Sequence, residues 1–198
     1  MEKRRIAFFD FDGTLIRHDS LFVFAGQTRG RLRLALALLR SAPAILAWKL
    51  GLRTNGQAKQ RLFSALYKGV PLAVFEQWGR QFSEYIDSDF NPAVRPFVDR
   101  HRRNGDEMYI VSASMEQWIL PWASAHGFTG VIATRPAVGD DGRLTGCFAT
   151  PNCHGPEKVV RIKERISDID SCETWAYGDS AGDTAMFEFS DHHQLITH

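Results

Sequence analysis

The stretch Ile6-Ala7-Phe8-Phe9-Asp10-Phe11-Asp12-Gly13-Thr14 constrains this chain more than any other: an apolar run ends in two carboxylates two residues apart, followed by a Gly turn. Residues two apart along a strand share a face, so Asp10 and Asp12 are predicted to look onto one reaction centre at the strand's carboxyl edge. Open α/β sheets bind their ligands at that edge. Two carboxylates this close repel unless a cation lies between them or one keeps a proton, which implies a divalent metal and divided roles. An ionised Asp10 suits nucleophilic attack, and Asp12 suits passing a proton to a leaving alcohol. A solvated Asp-Phe-Asp-Gly turn explains the same residues taken alone, so the assignment depends on partners further along.

Three later segments supply them. Tyr109-Ile110-Val111-Ser112-Ala113-Ser114 is a second strand-like run ending in hydroxyls, followed by helical spacing at Met115, Trp118, Ile119 and Trp122. A hydroxyl and the next backbone N–H at a strand-to-helix turn make a cradle for phosphate oxygens; a plain N-cap Ser is the simpler alternative. Lys158 opens a helical segment, Pro156 to Ile166, with Pro near its first turn. Thr174-Trp175-Ala176-Tyr177-Gly178-Asp179-Ser180-Ala181-Gly182-Asp183 again carries an apolar run into acids on a Gly loop. Asp179 is a hard oxygen ligand for Mg²⁺, with Asp183 one turn later ordering the site behind it. Each motif is weak alone; four strand ends in this order are strong.

With these residues in place the chain resembles the haloacid dehalogenase-like hydrolase superfamily over almost its whole length. The resemblance implies a Rossmann-like α/β core, with a mainly parallel sheet and helices on both faces, and an inserted all-helical cap. It implies that Asp10 attacks phosphorus to give an aspartyl-phosphate, that Asp12 is general acid/base while its carbonyl binds Mg²⁺, and that Asp179 ligates the metal directly. Ser112, Ala113 and Lys158 would hold phosphoryl oxygens, with Asp183, Gly178 and Thr14 arranged behind the ligands. Dehalogenating members lack the acid at Asp12, and the ion-pumping branch places Lys between the first Asp and Thr, so a phosphatase is the branch that fits. The helical insert after the first motif and the small hairpin before Lys158 are similar to subfamily IB, which contains phosphoserine phosphatase. Ala113-Ser114 replaces the two Gly usual there, and Asn152 to Val159 looks closer to bacterial members of the phosphatidylglycerophosphatase C type. A binding module that has lost turnover, and phosphoryl transfer to a second substrate, are the competing classes.

The remaining composition sets bounds. The chain has 198 residues and 44% hydrophobic content, enough for one core plus one subdomain. Its 24 Lys and Arg nearly balance 23 Asp and Glu, which gives no global case for nucleic acid. Cys147, Cys153 and Cys172 are odd in number and unpaired in spacing, consistent with reduced cytoplasmic thiols. Cys147, Cys153 and His154 suggest zinc, but no fourth ligand is suitably spaced. No signal peptide is apparent at the start of the chain.

The organisation reads as a core, 1–17 and 91–198, interrupted by a helical cap over 18–90. Helices are predicted over Ser20 to Gln27, Arg31 to Leu50, Gly56 to Tyr67 and Leu72 to Ile86. In the core a helix is predicted from Asn91 to about Asn104, then the strand that carries Ser112, then a second helix to about His126. Strands are expected at Val131 to Thr134 and Leu144 to Cys147, joined by the turn Asp140-Asp141-Gly142-Arg143, and at Gln194 to Thr197. The cap would cover the carboxyl edge, exclude water and select the leaving group. Its segment Arg31 to Leu52 is rich in Leu but divided by Arg40 and Pro43, too interrupted to span a membrane. We read it as a cap helix packed on its neighbours, the alternative being peripheral contact with a membrane surface and a lipid phosphomonoester in place of a small-molecule one. His18 near the cap hinge reads as a polar turn residue, contact with substrate being the alternative; the run Arg100 to Arg103 receives no ligand, and Trp118 and Trp122 are assigned to the core.

Overall fold

In the computed structural model, which describes residues 3–197, β1 Arg5–Phe9 is followed by α1 Ser20–Arg29, α2 Arg31–Lys49, α3 Asn55–Tyr67, α4 Leu72–Gln81, α5 Ser83–Asp89 and α6 Arg95–Asn104. Then come β2 Glu107–Met115, α7 Glu116–Ala125, β3 Gly130–Thr134, β4 Pro136–Val138 and β5 Leu144–Phe148. The chain closes with α8 Pro156–Arg165, β6 Glu173–Gly178, α9 Thr184–Phe189 and β7 His192–Leu195. Five strands form one sheet in the order β3-β2-β1-β6-β7, parallel throughout. β1 therefore lies at the centre, with every carboxyl end on one edge.

Alternation along the strands produces two apolar layers. Ala7, Phe9, Ile110 and Tyr177 point into the larger one, which continues into the helices of the insert; Ile6, Phe8, Val111 and Ala176 point into the other, against Ile162 and Met186 of α8 and α9. Near-continuous apolar runs are what a parallel sheet covered on both faces requires. Phe9 stacks on Tyr177 with ring centroids 4.6 Å apart.

Several elements differ from the sequence reading. Leu72 to Ile86 is two helices, broken at Phe82. The segment from Asn91 turns before helix α6 begins at Arg95. Ser112 does not cap α7: β2 runs on to Met115, which precedes the helix without a side-chain cap. Val131 to Thr134 joins the main sheet, and the hairpin is made by β4 with β5. That hairpin docks on the insert through Gly69 N to Leu144 O at 2.7 Å and Leu144 N to Val70 O at 2.8 Å. The last strand lies at 192–195, two residues earlier than expected.

The basic run 100–103 is structural. Buried His101 bridges Asp106, with Nδ1 2.6 Å from Oδ2, and the Tyr177 hydroxyl, 2.8 Å from Nε2. Burial lowers its pKa, against the pull of Asp106. His18 likewise ties the two crossings of the insert together, its Nδ1 2.7 Å from Asp89 Oδ1. Replacing His101 by Ala removes two buried hydrogen bonds and opens a cavity, so urea unfolding at pH 7.5 should show a loss of about 2–4 kcal/mol. Because the folded pKa lies below the unfolded one, the wild type sheds this stability as pH falls below about 6.5, and the gap to the variant should narrow at pH 5.5.

Candidate active site

At the carboxyl edge, Asp10 N donates to Tyr177 O at 2.8 Å, carrying the β1–β6 ladder one step past the strand. The turn that follows closes through Ile16 N to Phe11 O at 3.0 Å. Gly13 in that turn has φ +80°, and a Cβ there would lie 2.4 Å from Asp179 Oδ2, so its backbone can approach Asp179 only without a side chain. Buried Thr14 donates from Oγ1 to Asp179 Oδ1 at 3.3 Å. At Gly178 a Cβ would meet Asp183 Cγ at 2.5 Å; its absence lets the Asp183 carboxylate fold back to accept from the N–H of Asp179 and of Ser180. Asp183 ends a short 3₁₀ turn and precedes α9 rather than standing one helical turn after Asp179.

Lys158 comes from the first turn of α8, where buried Ile162 on the same side anchors the helix to the sheet. Its Nζ is 2.6 Å from Asp10 Oδ1 and 2.6 Å from Asp183 Oδ1, and all three side chains are buried. Burial works to lower the lysine pKa, but the two carboxylates outweigh it and raise it. Burial pushes Asp10 up to about 7, opposed by Lys158 and aided by Asp183. The ammonium is thus the member that stays charged, and two acids share one cation. Carboxylate oxygens of Asp10, Asp179 and Asp183 lie within 4.8 Å of one another, the spacing of a hard-cation site built from oxygen ligands.

Asp12 has different surroundings. Its Oδ1 accepts from Ser20 N at 2.7 Å and its Oδ2 from the Ser114 hydroxyl. Ser20 Oγ in turn donates to Ser114 Oγ at 3.0 Å and accepts from Trp118 Nε1 at 3.1 Å. The carboxylate of Asp12 is therefore aimed by a chain of groups on α1, β2 and α7 instead of by the lysine. Neither Ser20 nor Ser114 was assigned to Asp12 from the sequence, although both hydrogen-bond to it here. Ser114 lies two beyond Ser112 on one strand but 102 positions from Asp12, whereas Ser20 is only eight residues from Asp12 and reads from the sequence as the start of a helix.

A cavity of about 380 Å³ opens over these groups. Asp10, Asp12, Ser112, Ala113, Lys158 and Asp183 line its floor; Asp19, Leu21, Phe22, Ile45, Trp48 and Lys59 line it from the insert. Ser112 Oγ accepts from Ser114 N at 3.0 Å, and Thr134 Oγ1 donates to the Ala113 carbonyl at 3.0 Å, which fixes this strand end. Burial and neighbouring Asp12 push Asp19 up to about 6, opposed by Lys59. His154 also reaches the cavity; Cys147 is exposed and Cys153 buried, and the metal-suited cluster found among the described residues is the aspartate one. Trp118 and Trp122 are buried in the core, as expected.

Comparison with known proteins gives a consistent picture. A family model described as haloacid dehalogenase-like hydrolase matches residues 7–188. Protein CicA of Caulobacter vibrioides is 35% identical over 184 residues, covering 92% of this chain and 82% of its own. A crystal structure of a protein of unknown function from Bordetella pertussis superposes with a TM-score of 0.79 at 26% identity, over 98% of this chain and 90% of that one. A phospho-aspartyl intermediate analogue of phosphoserine phosphatase shares the fold with a TM-score of 0.65 at 20% identity, over 98% of this chain and 87% of that one.

Removing the shared cation should leave two buried carboxylates facing each other. Lys158→Met is expected to lower unfolding stability by about 3–5 kcal/mol in chelator, measured by urea denaturation. Millimolar Mg²⁺ should restore part of that loss, because an ion among the same oxygens binds the folded state alone. An equal loss with and without the ion would contradict the cluster's role.

Proposed function

The chain belongs to the haloacid dehalogenase-like hydrolases, and from that premise we propose that it is a Mg²⁺-dependent phosphomonoester hydrolase of the subfamily IB type, working through an aspartyl-phosphate on Asp10. The observation that carries this reading is the contrast between the two acids. Asp10 lies on the cavity floor with Lys158 and the aspartate cluster, whereas Asp12 is held apart by Ser20 and Ser114. Two carboxylates in unlike environments are what a nucleophile and an acid/base require.

Asp10 and Asp179, with the carbonyl of Asp12, would hold Mg²⁺, and Asp183 would complete the oxygen cluster. The ion, when bound, supplies positive charge to the phosphoryl oxygens and favours ionised Asp10. An Asp10 oxygen attacks phosphorus, the bond to the leaving oxygen breaks, and Asp12 gives that oxygen its proton. Asp12, now a carboxylate, takes a proton from the water that cleaves the acyl-phosphate, releasing phosphate and restoring Asp10. Ser112 Oγ, Ala113 N–H and Lys158 are assigned to the phosphoryl oxygens. An ammonium has three donors, and Asp10 and Asp183 engage two of them, which leaves one for substrate. Thr14 and Gly178 act indirectly, by fitting Asp179 and Asp183 into place.

The segment 18–90 serves as the cap, with 1–17 and 91–198 as the core, because the insert supplies the upper wall of the cavity. Leu21, Phe22, Ile45 and Trp48 there favour a leaving group with apolar surface, of lipid or other origin. A second reading, phosphoserine, is favoured by Asp19 and Lys59, one acid and one ammonium that match the charges of an amino acid. Three free cysteines accord with a cytoplasmic setting.

Asp10→Asn should abolish turnover of p-nitrophenyl phosphate while leaving the circular dichroism spectrum unchanged. Wild-type rates in that variant, or no turnover by the wild type with Mg²⁺, would refute the assignment, the latter in favour of a binding module. Asp12→Asn should slow an alkyl phosphate by about 10²–10⁴-fold. Its effect on p-nitrophenyl phosphate should be smaller, since that leaving group departs without a proton.

A further inference from the structure

No helix among the described residues is long and apolar enough to cross a membrane, yet α2 presents an unusual outer face. Leu32, Leu36, Leu39, Pro43, Leu46 and Leu50 follow one another at helical spacing, and all are exposed. Leu32 is 75% exposed, Leu39 72%, Leu46 59% and Leu50 65%, and Leu52 just beyond is 77% exposed. The helix packs on its neighbours through other positions, with Ala37 and Ser41 buried and Leu34 and Leu38 partly so. At about 100° per residue, Arg33 and Arg40 flank the leucine stripe on one side, and Arg31 and Lys49 on the other.

Charge is segregated in the same region. From Ser20 to Phe75 there are nine Lys and Arg and no Asp or Glu, so all 23 acidic residues lie elsewhere. An aliphatic stripe between two basic margins suits a helix lying in the plane of an anionic bilayer: leucines enter the acyl boundary while arginines and lysine reach headgroup phosphates. It suits a second copy of this chain poorly, because the facing margins would carry like charge. The inner side of the same helix turns Ile45 and Trp48 into the cavity above Asp10.

We propose that α2 is a membrane-surface docking element, which seats the cap on anionic phospholipid with the cavity close to the interface. This goes beyond the catalytic reading and does not depend on it, since binding is measured without turnover.

The test is co-sedimentation of the full chain with vesicles of roughly one-third phosphatidylglycerol in phosphatidylcholine, and with pure phosphatidylcholine. Binding is expected to the first and not the second, and it should weaken in about 1 M salt, where the Debye length shrinks to about 3 Å. The exposed double variant Leu39→Glu/Leu46→Glu should lose binding while keeping wild-type hydrolysis of p-nitrophenyl phosphate and an unchanged circular dichroism spectrum. Arg33→Gln/Arg40→Gln should weaken binding by about fivefold per residue. No partition onto anionic vesicles, equal partition onto neutral ones, or undiminished binding by the Glu variant would overturn the proposal. So would a concentration-dependent dimer, abolished by the same variant, in a protein that ignores vesicles. If vesicle binding holds and hydrolysis is absent, the catalytic reading fails and this one stands.

Discussion

One buried ammonium organises the reaction edge. Lys158 reaches from α8 to Asp10 after β1 and to Asp183 before α9, at 2.6 Å each. It therefore joins the central strand to the loop that follows β6. A buried carboxylate without a partner is costly, and a buried ammonium equally so. Each group is tolerable only because the others are in place. The same arrangement is unbalanced by one negative charge, which is the condition that invites a divalent cation. Stability and the proposed chemistry thus draw on a single cluster, and strands β1 and β6 must stay in register to hold it together.

The hydrophobic construction serves that register. β1 is covered on both faces, so slipping it by one residue would exchange Phe9 for Phe8 in different layers and move Asp10 off the cluster. The insert is tied to this frame more firmly than a free lid. The hairpin β4–β5 hydrogen-bonds to residues 69–72, and Asp89 fastens both crossings at Arg17 and His18. Ser20, at the start of α1, touches Asp12 directly. Any movement of the insert is thereby coupled to the orientation of the proposed acid/base.

Much of this was legible because it is written in contiguous residues. Asp10, Ser112 and Asp179 announce themselves by an apolar run stopping at a polar group, and parallel pairing brings such runs to one edge. The chain from Trp118 through Ser20 and Ser114 to Asp12 was not legible, since it joins residues 94 to 102 positions apart and each alone reads as a cap or a core residue. The break at Phe82 was hidden because both helices keep the same apolar period across it. β4 was missed because three residues starting with Pro give no alternation to read. The edge strand β7 is exposed along its length, so it lacks the apolar signal that locates buried strands. The packing of α2 on its neighbours was legible in its apolar period, but the period does not say which of its leucines stay exposed.

The central claim is that Asp10 and Asp12, two residues apart, do different work: one bonds to phosphorus and the other moves protons. Acid quenching during turnover, followed by borohydride reduction and mass spectrometry of the peptide spanning 6–17, tests this directly. The account predicts an acyl-phosphate on Asp10, found as homoserine after reduction, with Asp12 unmodified. Modification of Asp12, or steady turnover with no acyl-phosphate on this peptide, would contradict it.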